Sequence, residues 1–467
     1  MNHRSSGTFG GLAPHEDRPT AGLAEAVGVG ISGKSSPGST VKKEVGMARI
    51  VLSALVLIGV AASARSEDFA LKDGDTVVFL GDSITAARGY GRIVEQYTLL
   101  RFPDRDVRFH NAGQGGDTAA GGLARLDRDV FPLNPTVLTV AYGVNDIGWG
   151  GKADEAHKQA YLDGIRGIVE RARARGCRVY ICSAAATAEA PDPAERGFLQ
   201  AMCDEGMALA RELGGHSIDV QRSMRRVQRR MVEAAAKDDP KKDRPSLHVA
   251  DGIHLNEDGQ LAMAVAILEG LGAPAEVSSV AIDAAGPLAA EAEGCAVANL
   301  SGDASRLEFD RLDAGLPLNL GLFGALRYRF IPIPERLNRY MLTIKNLPDG
   351  DYAVTADGRA LGAWSAGRLA RGVNIASATA DGWQPGGPWE AAAWAVADAT
   401  EARSKLSQVS PAMARDLPNS PILADLDARV READAKIREV QRALVAPRPF
   451  RFVVERKEEA KEGEAAR

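Results

Sequence analysis

The stretch TVVFLGDSITAARGYG, Thr76 to Gly91, runs from an apolar segment straight into Gly81-Asp82-Ser83. Thr76 to Leu80 is built from the β-branched and aromatic residues that suit a buried strand. Ser83 therefore stands directly beyond a strand end, where two readings compete. Its hydroxyl suits the cap of a following helix, accepting an orphan backbone N–H. The same position would also serve a catalytic nucleophile. Working outward, segments of the same kind recur at Val107 to Asn111, Thr136 to Ala141, Arg178 to Cys182 and His216 to Val220. Amphipathic stretches separate them, such as Ala156 to Ala174, where Tyr161, Leu162, Ile165, Ile168, Val169 and Ala172 share one face. This alternation predicts an α/β domain over residues 67–273, with a parallel sheet covered by helices on both faces. Open sheets of this type bind ligands beyond the carboxyl ends of their strands.

The flanks differ in character. Met47-Ala-Arg49 precedes a small, apolar run from Ile50 to Ala64 that ends in Ala62-Ser63-Ala64. A charged start, an apolar core and a small-residue cleavage site describe a secretory signal over residues 47–66, and the run is short of the roughly 20 residues a membrane span needs. The expected location is secreted or periplasmic, with no stable membrane span after cleavage. Residues 1–46 are polar, Gly- and Ser-rich, and read as an upstream or disordered leader, with Met47 as the expected start. Gly28 to Ser35 matches the spacing of a phosphate-binding loop, but no strand precedes it and Ser36-Pro37-Gly38 breaks any helix after it.

Beyond Ala273 the chain turns to short strands and turn dipeptides, including Met341 to Ile344, Tyr352 to Thr355 and Asp357-Gly358, which predict a small antiparallel β module over 274–382. Pro388 to Gln408 and Pro421 to Val445 read as a helical hairpin within 383–446. In its second helix Leu423, Leu426, Val430, Ala433, Ile437, Val440 and Leu444 keep a three-four spacing, which suits packing within the chain or a homodimer seam. Residues 447–467 read as a charged tail.

Composition narrows the function. The chain has 467 residues, 45% of them hydrophobic and 25% charged, with a net charge of -5, which describes an ordinary globular protein without the basic stripe that nucleic acid requires. Cys177, Cys182, Cys203 and Cys295 have no metal-knuckle spacing and are too few for a disulfide framework, so buried thiols are expected.

Three further groups could carry chemistry. Asn111-Ala-Gly-Gln-Gly-Gly116-Asp117 is a glycine-rich turn after a strand, able to bring backbone N–H groups close to a ligand. Tyr142-Gly143-Val144-Asn145-Asp146 places an amide at another strand end. Asp251-Gly-Ile-His254 has the spacing that lets a carboxylate hold an imidazole N–H and leave the other ring nitrogen free as a base. Each alone is weak. Together they supply what a serine nucleophile needs: a base, an orienting acid and donors for an oxyanion. The Gly-x-Ser-x-Gly elbow of other serine hydrolases is missing.

Gly81-Asp82-Ser83, Gly116-Asp117, Gly143-x-Asn145-Asp146 and Asp251-x-x-His254, in this order, resemble the four signature blocks of the GDSL/SGNH hydrolases. The resemblance implies a flavodoxin-like three-layer α/β/α fold and ester hydrolysis without a metal or other cofactor. It assigns Ser83 as nucleophile, His254 as general base and Asp251 as its orienting acid, with oxyanion donors from the backbone of Ser83 and Gly116 and the side chain of Asn145. Asp82 and Asp146 are expected to hold turns. The signal, the β module and Trp149, an aromatic able to stack on a sugar, suggest a small-acyl ester on a polysaccharide as substrate. The alternatives are a lysophospholipase or short-chain esterase, and a non-catalytic glycan-binding envelope protein.

Overall fold

The computed structural model describes residues 69–237, 245–321, 324–384 and 386–458. The expected leader, the signal segment, Gly28 to Ser35 and residues 238–244 of the charged stretch Lys237 to Arg244 lie outside them. In the first half, β1 (Thr76–Gly81) leads through α1 (Ser83–Ala86) and α2 (Gly89–Arg101) to β2 (Arg108–Gly113), and α3 (Ala119–Ala124) precedes β3 (Val137–Ala141). Then come α4 (Glu155–Arg173), β4 (Arg178–Cys182), α5 (Pro191–Ala194), α6 (Phe198–Glu212), β5 (His216–Ile218), α7 (Val220–Ala235) and α8 (Glu257–Gly270). The strands form one parallel sheet in the order β2-β1-β3-β4-β5. That is the flavodoxin-like order, and its direction reverses at β1.

Alternate residues of each strand feed different cores, as a pleated strand buried on both faces requires. Val77, Phe79, Val137, Tyr180 and Cys182 pack with Tyr90, Val94, Met224 and Leu261 on one side. Val78, Leu80, Leu138, Val140, Val179 and Ile181 pack with Tyr161, Ile165, Ile168 and Met202 on the other. The register sets Gly81 level with Gly113 and with Ala141. The loops after β1, β2 and β3 therefore emerge at one edge.

The remaining strands are β6 (Glu276–Asp283), β7 (Ala289–Glu293), β8 (Cys295–Gly302), β9 (Arg306–Asp313), β10 (Arg339–Lys345), β11 (Asp351–Ala356), β12 (Arg359–Ser365), β13 (Val373–Asn374) and β14 (Pro449–Arg456). With them are α9 (Ile333–Arg336), α10 (Ala366–Ala370), α11 (Pro388–Leu406), α12 (Val409–Asp416) and α13 (Leu423–Val445). They build two sheets, β13-β10-β6-β7 and β12-β11-β14-β9-β8. Asp357-Gly358 makes the β11–β12 hairpin, both residues having positive φ (47° and 75°).

Three expectations need correction. The module is not wholly antiparallel, because β6 and β10 pair in parallel across an intervening excursion through the other sheet. The helical segment holds three helices, since the chain turns again between Leu406 and Leu423. The expected charged tail contains β14, which lies between β11 and β9 and buries Phe450, Phe452 and Val454 on one face. Its intervening Arg451 instead pairs outside with Glu308 and Asp310.

α13 packs along α11 within the same chain, with Leu423, Leu426, Val430, Ala433, Ile437 and Leu444 half-buried and Val440 exposed. All four cysteines are buried free thiols. No helix among the described residues is long and apolar enough to cross a membrane.

Candidate active site

Asp82, rather than Ser83, caps the helix that follows β1. Its Oδ1 accepts the Ile84 N–H at 2.9 Å, leaving Ser83 as the first residue of α1 with its hydroxyl free. The turn is tight because Gly81 lacks a side chain: a Cβ there would lie 2.2 Å from Thr85 Oγ1 and 2.8 Å from the Ala141 carbonyl. Burial pushes the Asp82 carboxyl up to about 6, against the opposing pull of the Ile84 N–H.

The Ser83 hydroxyl reaches His254 Nε2 at 2.8 Å, and His254 Nδ1 lies 2.6 Å from Asp251 Oδ2. The other carboxylate oxygen of Asp251 accepts the backbone N–H of Ile253 and of His254, each at 2.9 Å. The imidazole hydrogen bond, then those two N–H groups, hold the Asp251 carboxyl down at about 2. An ionised Asp251 fixes the tautomer with the proton on Nδ1, so that Nε2 accepts from Ser83. Gly252, at φ 73°, makes the turn that lets residues 251 and 254 face each other.

The opposite wall comes from the ends of β2 and β3. The Gln114 N–H donates to the Gly81 carbonyl at 3.0 Å, hooking the glycine-rich turn onto the end of β1, and Gly116 takes a positive φ of 73°. Asn145 donates one Nδ2 hydrogen to the Asp117 carbonyl at 2.9 Å, which leaves its second N–H unspent. Asp146 holds the start of α3, accepting the Ala119 N–H at 2.9 Å, and burial pushes its carboxyl up to about 6. Both aspartates expected to hold turns therefore accept backbone N–H groups at helix starts.

A buried cluster missed from the sequence fastens these pieces. Arg125 donates to Asp117 Oδ2 at 2.8 Å, to the Tyr142 hydroxyl at 3.0 Å and to the Gly81 carbonyl at 3.2 Å. Tyr142 in turn donates to Asp117 Oδ2 at 2.8 Å. One guanidinium thus touches the last residue of β1 and the segments just beyond β2 and β3. Its signal was faint: an arginine just past the end of a short helix, whose partners lie 8 to 44 residues away along the chain.

Trp149 stands at the rim, 54% exposed, its ring and the His254 imidazole T-shaped at 5.8 Å between centroids. Its indole N–H donates to Asn145 Oδ1 at 2.8 Å. Beside the triad runs a cleft of about 660 Å³, bounded by Ala87, Gly89, Leu255 and Asn256 on one side and by Asn319 and Trp394 of the C-terminal region on the other. The arrangement holds a hydroxyl in contact with an imidazole that a carboxylate orients, the relay that acyl transfer by a serine requires.

Comparison with known proteins agrees with this chemistry. Residues 79–262 match the GDSL-like Lipase/Acylhydrolase family. Esterase TesA of Pseudomonas aeruginosa is 34% identical over 132 residues, which cover 27% of this chain and 58% of that protein's length. Among solved structures, a gut microbial diltiazem-metabolizing enzyme superposes with a TM-score of 0.71 at 23% identity, covering 84% of this chain and all of that one. That likeness extends past the first sheet, so the added sheets and helices belong to a shared architecture. The part of the chain that carries Ser83, Asn145 and His254 is thus similar to the GDSL-like lipase/acylhydrolase family, and the chain spans 58% of the length of the esterase it matches.

Proposed function

We propose that the protein is a secreted or periplasmic serine esterase that removes acetyl or similarly small acyl groups from a carbohydrate. The observation that carries the chemistry is the Ser83–His254–Asp251 relay, with contacts of 2.8 and 2.6 Å. Ser83 attacks the ester carbonyl as its proton passes to His254 Nε2, and Asp251 stabilises the imidazolium. The N–H groups of Ser83 and Gly116 and the free N–H of Asn145 receive the oxyanion. Its collapse expels the alcohol, protonated by His254, and water then releases the acid from the acyl-enzyme by the same path. The curated relative is itself named an esterase. The carbohydrate reading is supported by the open rim, where the exposed part of Trp149 offers a stacking surface, and by the adjacent cleft, whose Asn256, Asn319 and Trp394 suit hydroxyls and sugar faces.

The test is hydrolysis of p-nitrophenyl esters of increasing chain length and of acetylated polysaccharides by the full chain, with Ser83→Ala as control. Ser83-dependent acetate release from a glycan is the expected result. A preference for long acyl chains would instead favour a lysophospholipase, and no Ser83-dependent hydrolysis would leave only a binding role. Asn145→Ala is expected to lower kcat by about 10²- to 10³-fold, the usual loss for one oxyanion donor. An unchanged kcat in that variant would remove Asn145 from the mechanism.

A further inference from the structure

We infer that Trp149 is a positioning residue for catalysis, acting through Asn145, in addition to any contact it makes with substrate. The inference rests on the esterase reading above. An amide can present a hydrogen to an oxyanion only if it faces the right way, and a flip by 180° would aim its oxygen there instead. Both ends of the Asn145 amide are tied: Nδ2 donates to the Asp117 carbonyl at 2.9 Å, and Oδ1 accepts the Trp149 indole N–H at 2.8 Å. Indole nitrogen is a donor only, so its partner must be an oxygen. A flipped Asn145 would set Nδ2 against that N–H and Oδ1 against a carbonyl, losing both bonds. Trp149 therefore selects the orientation in which the remaining amide N–H is available.

The backbone supports a dedicated role. Gly148, Trp149 and Gly150 all have positive φ, at 52°, 57° and 95°. Glycine adopts such angles freely, whereas a bulky aromatic in the left-handed region is an outlier that surrounding contacts must hold in place. Those contacts are present: the Trp149 N–H donates to the Val144 carbonyl and the Lys152 N–H to the Ile147 carbonyl, each at 2.9 Å. The turn carries the indole back over residue 145, although half of the side chain stays in solvent and contributes little to the core. The same ring packs T-shaped against the His254 imidazole, so one side chain touches both the oxyanion donor and the base.

The decisive measurement is a double-mutant cycle on p-nitrophenyl acetate, which has no sugar to stack. Trp149→Phe keeps the ring and deletes the N–H. It is expected to lower kcat by about 3- to 10-fold, the worth of one hydrogen bond, with KM unchanged. In an Asn145→Ala background the same change is expected to cost less than about 2-fold, because the group it acts through has gone. Equal losses in both backgrounds, a rise in KM alone, or no loss would each overturn the inference. A second readout needs no substrate: in a ¹H–¹⁵N spectrum the Trp149 indole resonance, assigned by its loss in Trp149→Phe, should move upfield and exchange faster in Asn145→Ala. An unmoved resonance would show that the bond is not made. If the wild-type protein hydrolysed nothing, the esterase reading would fall while the indole signal still judged the contact.

Discussion

Asp82 and Ser83 divide between them two tasks that a lone serine would have to combine. The aspartate caps α1, so the serine hydroxyl is free for His254. α1 has only four residues, so the N–H groups beside Ser83 act as local donors rather than through a sizeable helix dipole. This division has a thermodynamic consequence. Burial raises the Asp82 carboxyl from 3.8 to about 6, so the folded state binds its proton more tightly than the unfolded chain does. Between about pH 4 and 6 the folded state then holds more protons, and stability falls as pH rises through that window. Asp82→Asn keeps an oxygen for the cap and removes the charge. Urea unfolding is expected to show the variant more stable by up to about 3 kcal/mol at pH 7 and no more stable at pH 3.5. A gain of the same size at both pH values would mean that charge burial is not its source. The proposed triad and oxyanion residues could be read because each lies in a short block, Ser83, Gly116 and Asn145 after strand ends and Asp251 with His254 just before α8. The role of Trp149 was not, because its reach to Asn145 depends on three successive positive φ angles that no spacing announces.

At the scale of elements, the site is assembled by three level strand ends and one cluster that ties the end of β1 to the loops beyond β2 and β3. The parallel sheet could be read from the alternation of apolar runs and amphipathic helices, since local periodicity carries that information. Arg125 could not, because its value comes from meeting Asp117, Tyr142 and Gly81 in space. Arg125 and Asp117 are almost wholly buried, with side chains 7% and 5% exposed. Removing one partner of such a pair strands the other charge, a cost of roughly 3–5 kcal/mol. Arg125→Met is therefore expected to destabilise the protein on that scale and to reduce kcat in the folded fraction, since the glycine-rich turn and Asn145 lose their common anchor. Tyr142→Phe leaves Asp117 bonded to Arg125 and should cost only about 1 kcal/mol. Chemical denaturation of the two variants, with kcat measured on folded protein, checks the ranking, and equal losses would contradict it. β14 was missed for a different reason. Phe450, Phe452 and Val454 alternate as a strand should, but Arg451, Glu455 and Arg456 gave the segment the look of a solvated tail.

Across the whole molecule, the end of the described chain closes a sheet whose other strands were laid down far earlier. β14 pairs with β9 on one side and with β11 on the other, so the five-stranded sheet is incomplete until it is in place. The apolar core on that side is continuous from Phe79 and Tyr90 of the catalytic domain to Phe309, Trp389 and Phe452 of the C-terminal region. Polar contacts trace the same path: Arg403 of α11 donates to Glu95 of α2 at 2.8 Å and to Asp434 of α13 at 2.6 Å, and Gln441 of α13 also reaches Glu95 at 3.0 Å. The catalytic half and the added half are therefore expected to unfold together. A chain ending at residue 446 loses three buried apolar side chains, each worth about 1.5–3 kcal/mol, from the middle of a sheet. Such a loss is comparable to the whole stability of many domains. Thermal unfolding of this truncation should show a lower Tm for a single transition that includes the catalytic domain, with esterase activity disappearing in step. A catalytic domain that kept its own Tm and activity after the truncation would show instead that the two halves fold independently, and that the shared core between α2, α8 and the C-terminal region contributes little to holding Ser83 and His254 in register.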